Sequence, residues 1–352
     1  MKIDQLTFTR FVAAIAIVAY HFGRPLNIFS HPLVSKILTQ ANIGVSFFFI
    51  LSGFVMIIAY GSKKNIDSYS YLKNRFSRIY PLYLFAILLM LILQTFDAKE
   101  DFVFSDLILN VLMLQAWFPE KVFTVNLTGW SLSVEFLFYA IFPLMFNFFY
   151  QKYKLKQLVI PVFLIWFFTQ IFLFCAINGH WVIINESVTK RFLLYFPLMH
   201  INQFLAGNLA GLFFIQHLKN RSGNYDLIIA LLFCLIPLAL IFRPEFLNYH
   251  DGLLALLFIP LIIFISLNTG IITKIFSQKI FVFLGEISYG IYILQIPVFG
   301  FTEYALQKLR ISGDLKLFLC GVTALLFFSA LSYLFIEKPL REKIKKINFS
   351  IR

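Results

Sequence analysis

The sequence predicts an all-α bundle of about ten membrane-spanning helices, with both termini in the cytoplasm. Three observations predict it. Of 352 residues, 60% are hydrophobic and only 13% are charged, and the mean hydropathy is +0.82. A soluble domain of that length needs far more polar side chains to cover its surface. The apolar residues also gather into ten runs near spanning length, at 6–22, 43–60, 79–96, 130–149, 158–177, 197–216, 225–242, 252–267, 287–306 and 317–336. Several are shorter than the roughly 20 residues that cross a bilayer upright, so tilt is expected. The third observation is the alternation of charge between the runs.

Lys63, Lys64, Lys73, Arg75 and Arg78 are read as one loop, and Lys152, Lys154 and Lys156 as another. Lys219 with Arg221, Lys274 with Lys279, and the tail from Lys338 to Arg352 continue the series on the same side. The opposite loops hold Asp97, Glu100, Asp101, Asp106, Glu120, Glu186, Glu245, Asp251 and Asp314. Basic loops stay cytoplasmic, so both ends lie inside and the number of crossings is even. The net charge of +13 is this loop bias, which points away from nucleic acid. With no internal repeat, linker or low-complexity tract, residues 1–352 are read as a single domain. A multi-pass chain needs no cleaved leader, and cleavage after Ala19 would discard Arg10, so the first run is read as a retained span.

The first run carries two ionisable residues, Arg10 and His21. Eleven steps of about 100° bring them within roughly 20° of one helix face, about 16 Å apart along the axis. Two readings stay open. Arg10 snorkels to the headgroups while His21 caps the far end, or both face the bundle interior for a functional reason. The second run contains Ser52-Gly53, small residues that let helices approach closely. At the start of the third, Arg75 and Arg78 stand one turn apart, as a fork for phosphate or as ordinary cytoplasmic anchors. The weaker stretch 105–118 is read as a short interfacial or re-entrant helix.

Ser131, Glu135 and Tyr139 form one stripe of the fourth run, at i, i+4 and i+8. A carboxylate there needs a partner, either in a structural hydrogen bond between helices or in a working site. In the sixth run Asn202, Gln203 and Asn208 add polarity and are candidates to line a cavity. Ser288, Tyr292 and Gln295 share a face of the ninth run, where interhelical packing is the favoured reading. His31, His180, His200, His217 and His250 lie at loops or span ends, and none pairs with another at a metal-ligand spacing. Cys175, Cys234 and Cys320 all sit in apolar runs, so neither a disulfide nor a metal site is expected.

With these residues in place, the sequence resembles the acyltransferase-3 family of integral-membrane acyltransferases. The resemblance covers most of the chain and rests on six short motifs in order. They are Arg10 with His21, Phe49-Ile-Leu-Ser-Gly-Phe54, Arg75-Phe-Ser-Arg78 before Ile-Tyr-Pro81, Trp130-Ser-Leu-Ser-Val-Glu135-Phe, Ile287-Ser-Tyr-Gly-Ile-Tyr292 and Glu337-Lys-Pro339. It implies a ten-span bundle that transfers an acyl group, commonly acetyl, from acetyl-CoA or another acyl-CoA. The implied acceptor is a hydroxyl of an extracytoplasmic or lipid-linked glycan. His21 corresponds to the family's catalytic histidine, Arg10 to its partner, and Arg75 with Arg78 to a basic motif on the donor side. Gln295 departs from the pattern, because many relatives carry histidine there. The chain ends soon after its last run and is expected to lack the esterase-like domain of some relatives.

The resemblance therefore implies a cell-membrane enzyme, in a bacterial inner membrane, with acyl-CoA, a glycan and lipid as partners and no permanently bound cofactor or metal. A sugar hydroxyl needs a base to attack a thioester, and imidazole suits that role near neutral pH. His21 is the expected base, with Glu135 to orient it or stabilise its charged form and Arg10 to bind donor phosphate or the developing oxyanion. A route through an acyl-histidine stays open. So does a different class of function, a transporter or flippase that uses the same polar stripe as a pathway.

Overall fold

The computed structural model describes residues 3–96, 103–179 and 188–347. Asp97, Glu100, Asp101, His180, Glu186 and the tail from 348 lie outside the described residues. Among the described residues there is no strand beyond an isolated bridge between Gly223 and Asn268. The main helices are α1 (Asp4–Val18), α2 (Ile43–Tyr60), α3 (Ser68–Phe96), α4 (Trp130–Met145), α5 (Leu155–Asn178) and α6 (Ile201–Phe213). They continue with α7 (Asp226–Ile241), α8 (Ala255–Leu267), α9 (Ser288–Lys308), α10 (Asp314–Ser332) and α11 (Lys338–Lys346). The protein is an all-α polytopic helical bundle, and each of the ten apolar runs is helical.

Among the described residues, seven segments are long and apolar enough to cross a membrane, or eight if Lys279–Glu286 and Ser288–Lys308 count as one. The helices α7 and α8 are shorter, with 16 and 13 residues. Ten crossings therefore require the bent pair to count as one span and both α7 and α8 to cross, with tilt or local thinning of the bilayer. In a cysteine-free background, Glu245→Cys should react only with an impermeant thiol reagent applied outside. Lys219→Cys and Lys274→Cys should react only after permeabilisation. Labelling of all three from one side would remove both crossings.

The chain packs as two compact units, Met1–Lys64 with Phe146–Glu286, and Asn65–Met145 with Ile287–Arg352. In the first unit, α2 and α6 meet through glycine. A side chain at Gly53 would come within 2.3 Å of the Phe204 carbonyl, and one at Gly207 within 2.0 Å of the Ile50 carbonyl. Backbone-to-backbone contact of this kind replaces the hydrophobic drive that lipid removes. Phe47, Ile50, Phe54, Phe258 and Ile262 are buried around the crossing. By contrast, α5 exposes Ile160, Phe163, Phe168 and Phe172, an apolar face that suits lipid tails.

In the second unit α3 starts at Ser68, well before the apolar run that begins near 79. Lys73, Arg75 and Arg78, expected in a loop, are therefore helical. The cause is a local cap: the Ser70 N–H donates to Asp67 Oδ2 at 2.8 Å and starts the helix early. Hydrogen bonds from Ser70 also hold the Asp67 carboxyl below its usual pKa. The expected interfacial stretch forms a helix, Phe104–Val111, then 3-10 turns at Gln115–Trp117 and Leu127–Gly129. It is tied down by Tyr83 Oη to the Asn110 carbonyl (2.9 Å), Ser133 Oγ to the Met113 carbonyl (2.6 Å) and Asn126 Nδ2 to the Ile293 carbonyl (3.1 Å). Non-helical backbone at membrane depth needs such partners.

Candidate active site

The site residues divide between the two units. Arg10 and His21 belong to the first; Arg75, Arg78, Ser131, Glu135, Tyr139, Ser288, Tyr292 and Gln295 belong to the second. His21 does not close a regular α-helix. After Val18 the backbone widens into a π-helical turn, Ala19–Gly23, so the ideal spacing of about 100° per residue does not hold through His21. His21 is half-buried, with its ring 5.1 Å from that of Tyr20. The Arg24 guanidinium lies 4.5 Å over Tyr20. Among the described residues, similar π turns follow α4 and α6, at Phe146–Tyr150 and Phe214–Leu218, and join α10 to α11 at Tyr333–Glu337, so the turn alone does not mark a site.

In the second unit the predicted stripe on α4 is realised. Tyr139 Oη donates to Glu135 Oε1 one helical turn away. The Arg75 guanidinium stands 5.9 Å from the Tyr139 ring and 5.5 Å from the Tyr71 ring. Tyr139 thus links a carboxylate on its own helix to an arginine on α3. Ser131, at the start of the stripe, turns to another partner: its hydroxyl is 2.7 Å from Tyr292 Oη on α9. Both hydroxyls reach the Thr128 carbonyl at 3.2 Å. Ser288 and Gln295 are fully buried, and Gln295 Nε2 donates to the Tyr292 carbonyl at 2.7 Å. Tyr292 thus joins α9 to α4, while Gln295 bonds within α9.

Sequence reading missed the contribution of α11. Lys73 Nζ donates to the Lys345 carbonyl at 3.1 Å and also to that of Ile347. Lys345 in turn lies within electrostatic reach of Arg341, Arg75 and Arg78, with the one acid Glu342 among them. Like charges gathered this closely repel, so the cluster is a ready site for an anion. Beside it is a cavity of about 520 Å³, lined by Lys73, Arg75, Tyr80, Leu132, Phe136 and Tyr139 and otherwise largely apolar. A cationic end on an apolar cavity suits a molecule with a phosphorylated head and an uncharged arm.

A match to the acyltransferase-3 model, described as an acyltransferase domain, spans residues 3–336. The chain belongs to the acyltransferase-3 family. It is 22% identical to O-acetyltransferase OatA of Staphylococcus aureus, over 95% of this chain and 56% of that protein. A putative O-acetyltransferase of the same species is 25% identical over 99% of this chain and 59% of its own length. Acyltransferase MdmB of Streptomyces mycarofaciens is 31% identical over 42% of this chain and 40% of its own. The chain thus spans between two-fifths and three-fifths of these relatives. No solved structure matches it.

Proposed function

We propose that the protein transfers an acyl group, acetyl in first place, from acyl-CoA to a hydroxyl of an extracytoplasmic or lipid-linked glycan in a bacterial cell membrane. Family membership supports the reaction class, and the O-acetyltransferase relatives support the acetyl group. The observation that carries the donor assignment is the cationic cluster of Lys73, Arg75, Arg78, Arg341 and Lys345 beside an apolar cavity. The coenzyme's phosphates suit the cations, and its pantetheine arm and acyl group suit the cavity.

His21 is the general base of this reading. The acceptor hydroxyl gives its proton to the imidazole as its oxygen bonds to the acyl carbon. The carbon–sulfur bond then breaks, and the coenzyme thiolate takes a proton back from the imidazolium. Arg10, on the same helical run, supplies fixed positive charge for the oxyanion or for donor phosphate. Glu135, which accepts a hydrogen bond from Tyr139, keeps the role of orienting the imidazole or stabilising its charged form.

The donor assignment has a kinetic signature. Replacing Arg75 and Arg78 together by alanine should raise the KM for acetyl-CoA by about tenfold or more and lower kcat by less than about threefold, because the lost contacts bind ground state and transition state alike. Steady-state transfer of labelled acetyl in detergent or proteoliposomes measures both constants. An unchanged KM would remove the donor from this end of the protein. Movement of glycan across the membrane without acylation would favour the transporter instead.

A further inference from the structure

A second polar centre lies in the first unit, built from residues that the acyl-transfer reading does not use. His200 ends the 3-10 turn Pro197–His200 ahead of α6, while His250 and Asp251 sit in the turn between α7 and α8. All three are buried, His200 and Asp251 completely. One nitrogen or oxygen from each falls within 4.8 Å of the others, and Asp251 Oδ1 stands 3.6 Å from Nδ1 of both imidazoles. That separation is beyond a hydrogen bond. It is close to the roughly 3.4 Å between two ligands that share a tetrahedral ion at about 2.1 Å.

The surroundings are acceptor-rich. Asp251 Oδ2 takes a hydrogen bond from Asn248 Nδ2 at 2.7 Å. Asp251 Oδ1, Gln203 Oε1 and Asn202 Oδ1 are buried oxygens with no hydrogen-bond donor among the described residues. Two amide oxygens and a desolvated carboxylate oxygen without donors make the centre acceptor-rich, which a cation offsets. The hydrogen bond behind the His200 imidazole fits as well. His200 Nε2 is 3.0 Å from the Leu194 carbonyl. Only an N–H can meet a carbonyl, so the lone pair is left on Nδ1, facing Asp251. Gln203 Nε2 now stands 3.0 Å from that Nδ1. Rotation of the amide puts Oε1 there instead, as a fourth ligand.

The turn that presents His250 and Asp251 is held rigidly. Its backbone carbonyls accept from Ser46 at residue 250, from Gln170 Nε2 at residue 251 (2.9 Å) and from Trp166 Nε1 at residue 252 (2.9 Å). Gly252 has φ +97°, and a side chain on it would come within 2.6 Å of Asn202 Oδ1. A cavity of about 750 Å³ is lined by Leu194, Asn248, Lys190, Arg243 and Glu245. It touches the two residues that bond directly to His200 and Asp251, Leu194 and Asn248.

We propose that His200, His250 and Asp251, with Gln203 Oε1 as fourth ligand, bind one zinc ion that ties the α7–α8 turn to the start of α6. Two imidazole nitrogens and two oxygens favour zinc over magnesium or calcium, which prefer all-oxygen sites. Four protein ligands close the shell, which makes the site structural.

The test uses the full chain purified in detergent without chelators. After incubation with zinc sulfate and desalting, elemental analysis should find about one zinc per chain. Cobalt(II) in its place should give the visible absorption of a tetrahedral site. Dipicolinate should lower the thermal midpoint by several degrees, and added zinc should restore it. His250→Asn and Asp251→Asn should hold less than about a tenth of an equivalent and show no zinc-dependent shift. Should these variants prove too unstable to purify, the cobalt spectrum and chelator response of the wild type still decide. A wild-type chain that keeps less than about 0.1 equivalent of zinc, cobalt or manganese, with a midpoint indifferent to chelator, overturns the proposal.

Discussion

Replacing His21 by alanine is expected to reduce acyl transfer by about two to four orders of magnitude, the usual contribution of a positioned general base. The same change should barely affect the fold. His21 is half-buried at the end of a helical run, in a π turn that also occurs where no histidine is present. Loss of a partly exposed ring there removes little packing, so the thermal midpoint should stay within about two degrees. The cell-level measurement is O-acetyl content of surface glycans in a deletion strain complemented with wild type or with His21→Ala. Acetyl restored only by wild type, with equal membrane insertion of both proteins, supports the base, and the lost ester identifies the acceptor. Restoration by both would make His21 a structural residue. A single-turnover experiment without acceptor separates the two chemical routes. Label that appears on His21 and is chased at a competent rate would replace direct transfer with an acyl-histidine.

The parts of this arrangement that were legible in the sequence are those fixed by local spacing. Ser131, Glu135 and Tyr139 read as one stripe because helical residues four apart are neighbours, and the Tyr139–Glu135 bond is that spacing made physical. Ser52-Gly53 read as a close-approach point for the same reason, since size alone decides it. What failed was governed by capping or by tertiary contact. The charged segment before residue 79 looked like a loop, and a single carboxylate, Asp67, starts the helix eleven residues sooner. The π turn at His21 leaves no signal in side-chain periodicity. His200 and His250 are fifty residues apart, so spacing rules for metal ligands do not reach them, and only the fold brings them to one carboxylate. Asn202 and Gln203 read only as polar residues, because nothing in the sequence shows that Gln203 reaches His200 and the His250 carbonyl. The contribution of α11 was hidden in the same way, because a lysine-rich tail reads as a topology signal until its backbone is seen to accept from Lys73.

The other large effect is expected at Gly207, where even alanine should be severely destabilising. A methyl group there would lie 2.0 Å from the Ile50 carbonyl oxygen and 3.1 Å from the Phe54 nitrogen. Both obstacles are backbone, so no side-chain rotation relieves the clash. Either α2 and α6 move apart or one of them bends. Separation would uncouple contacts along the whole crossing, because Gly53 packs against Phe204 and Asn208 on one side and Gly211 against Ile57 on the other. Overpacking in a tight core costs about 1–3 kcal/mol. The steric overlap here is larger, and lipid offers no hydrophobic drive to force the helices back together. Gly207→Ala should therefore lower the thermal midpoint by several degrees, and Gly207→Leu should yield little monodisperse protein. Phe213→Leu on the exposed side of α6 is the matched control and should behave as wild type. The ordering also separates stability from chemistry. His21→Ala loses transfer and keeps its midpoint, while Gly207→Ala loses midpoint and transfer together. A Gly207→Ala protein with an unchanged midpoint would show that α2 and α6 are not held by backbone contact at this crossing.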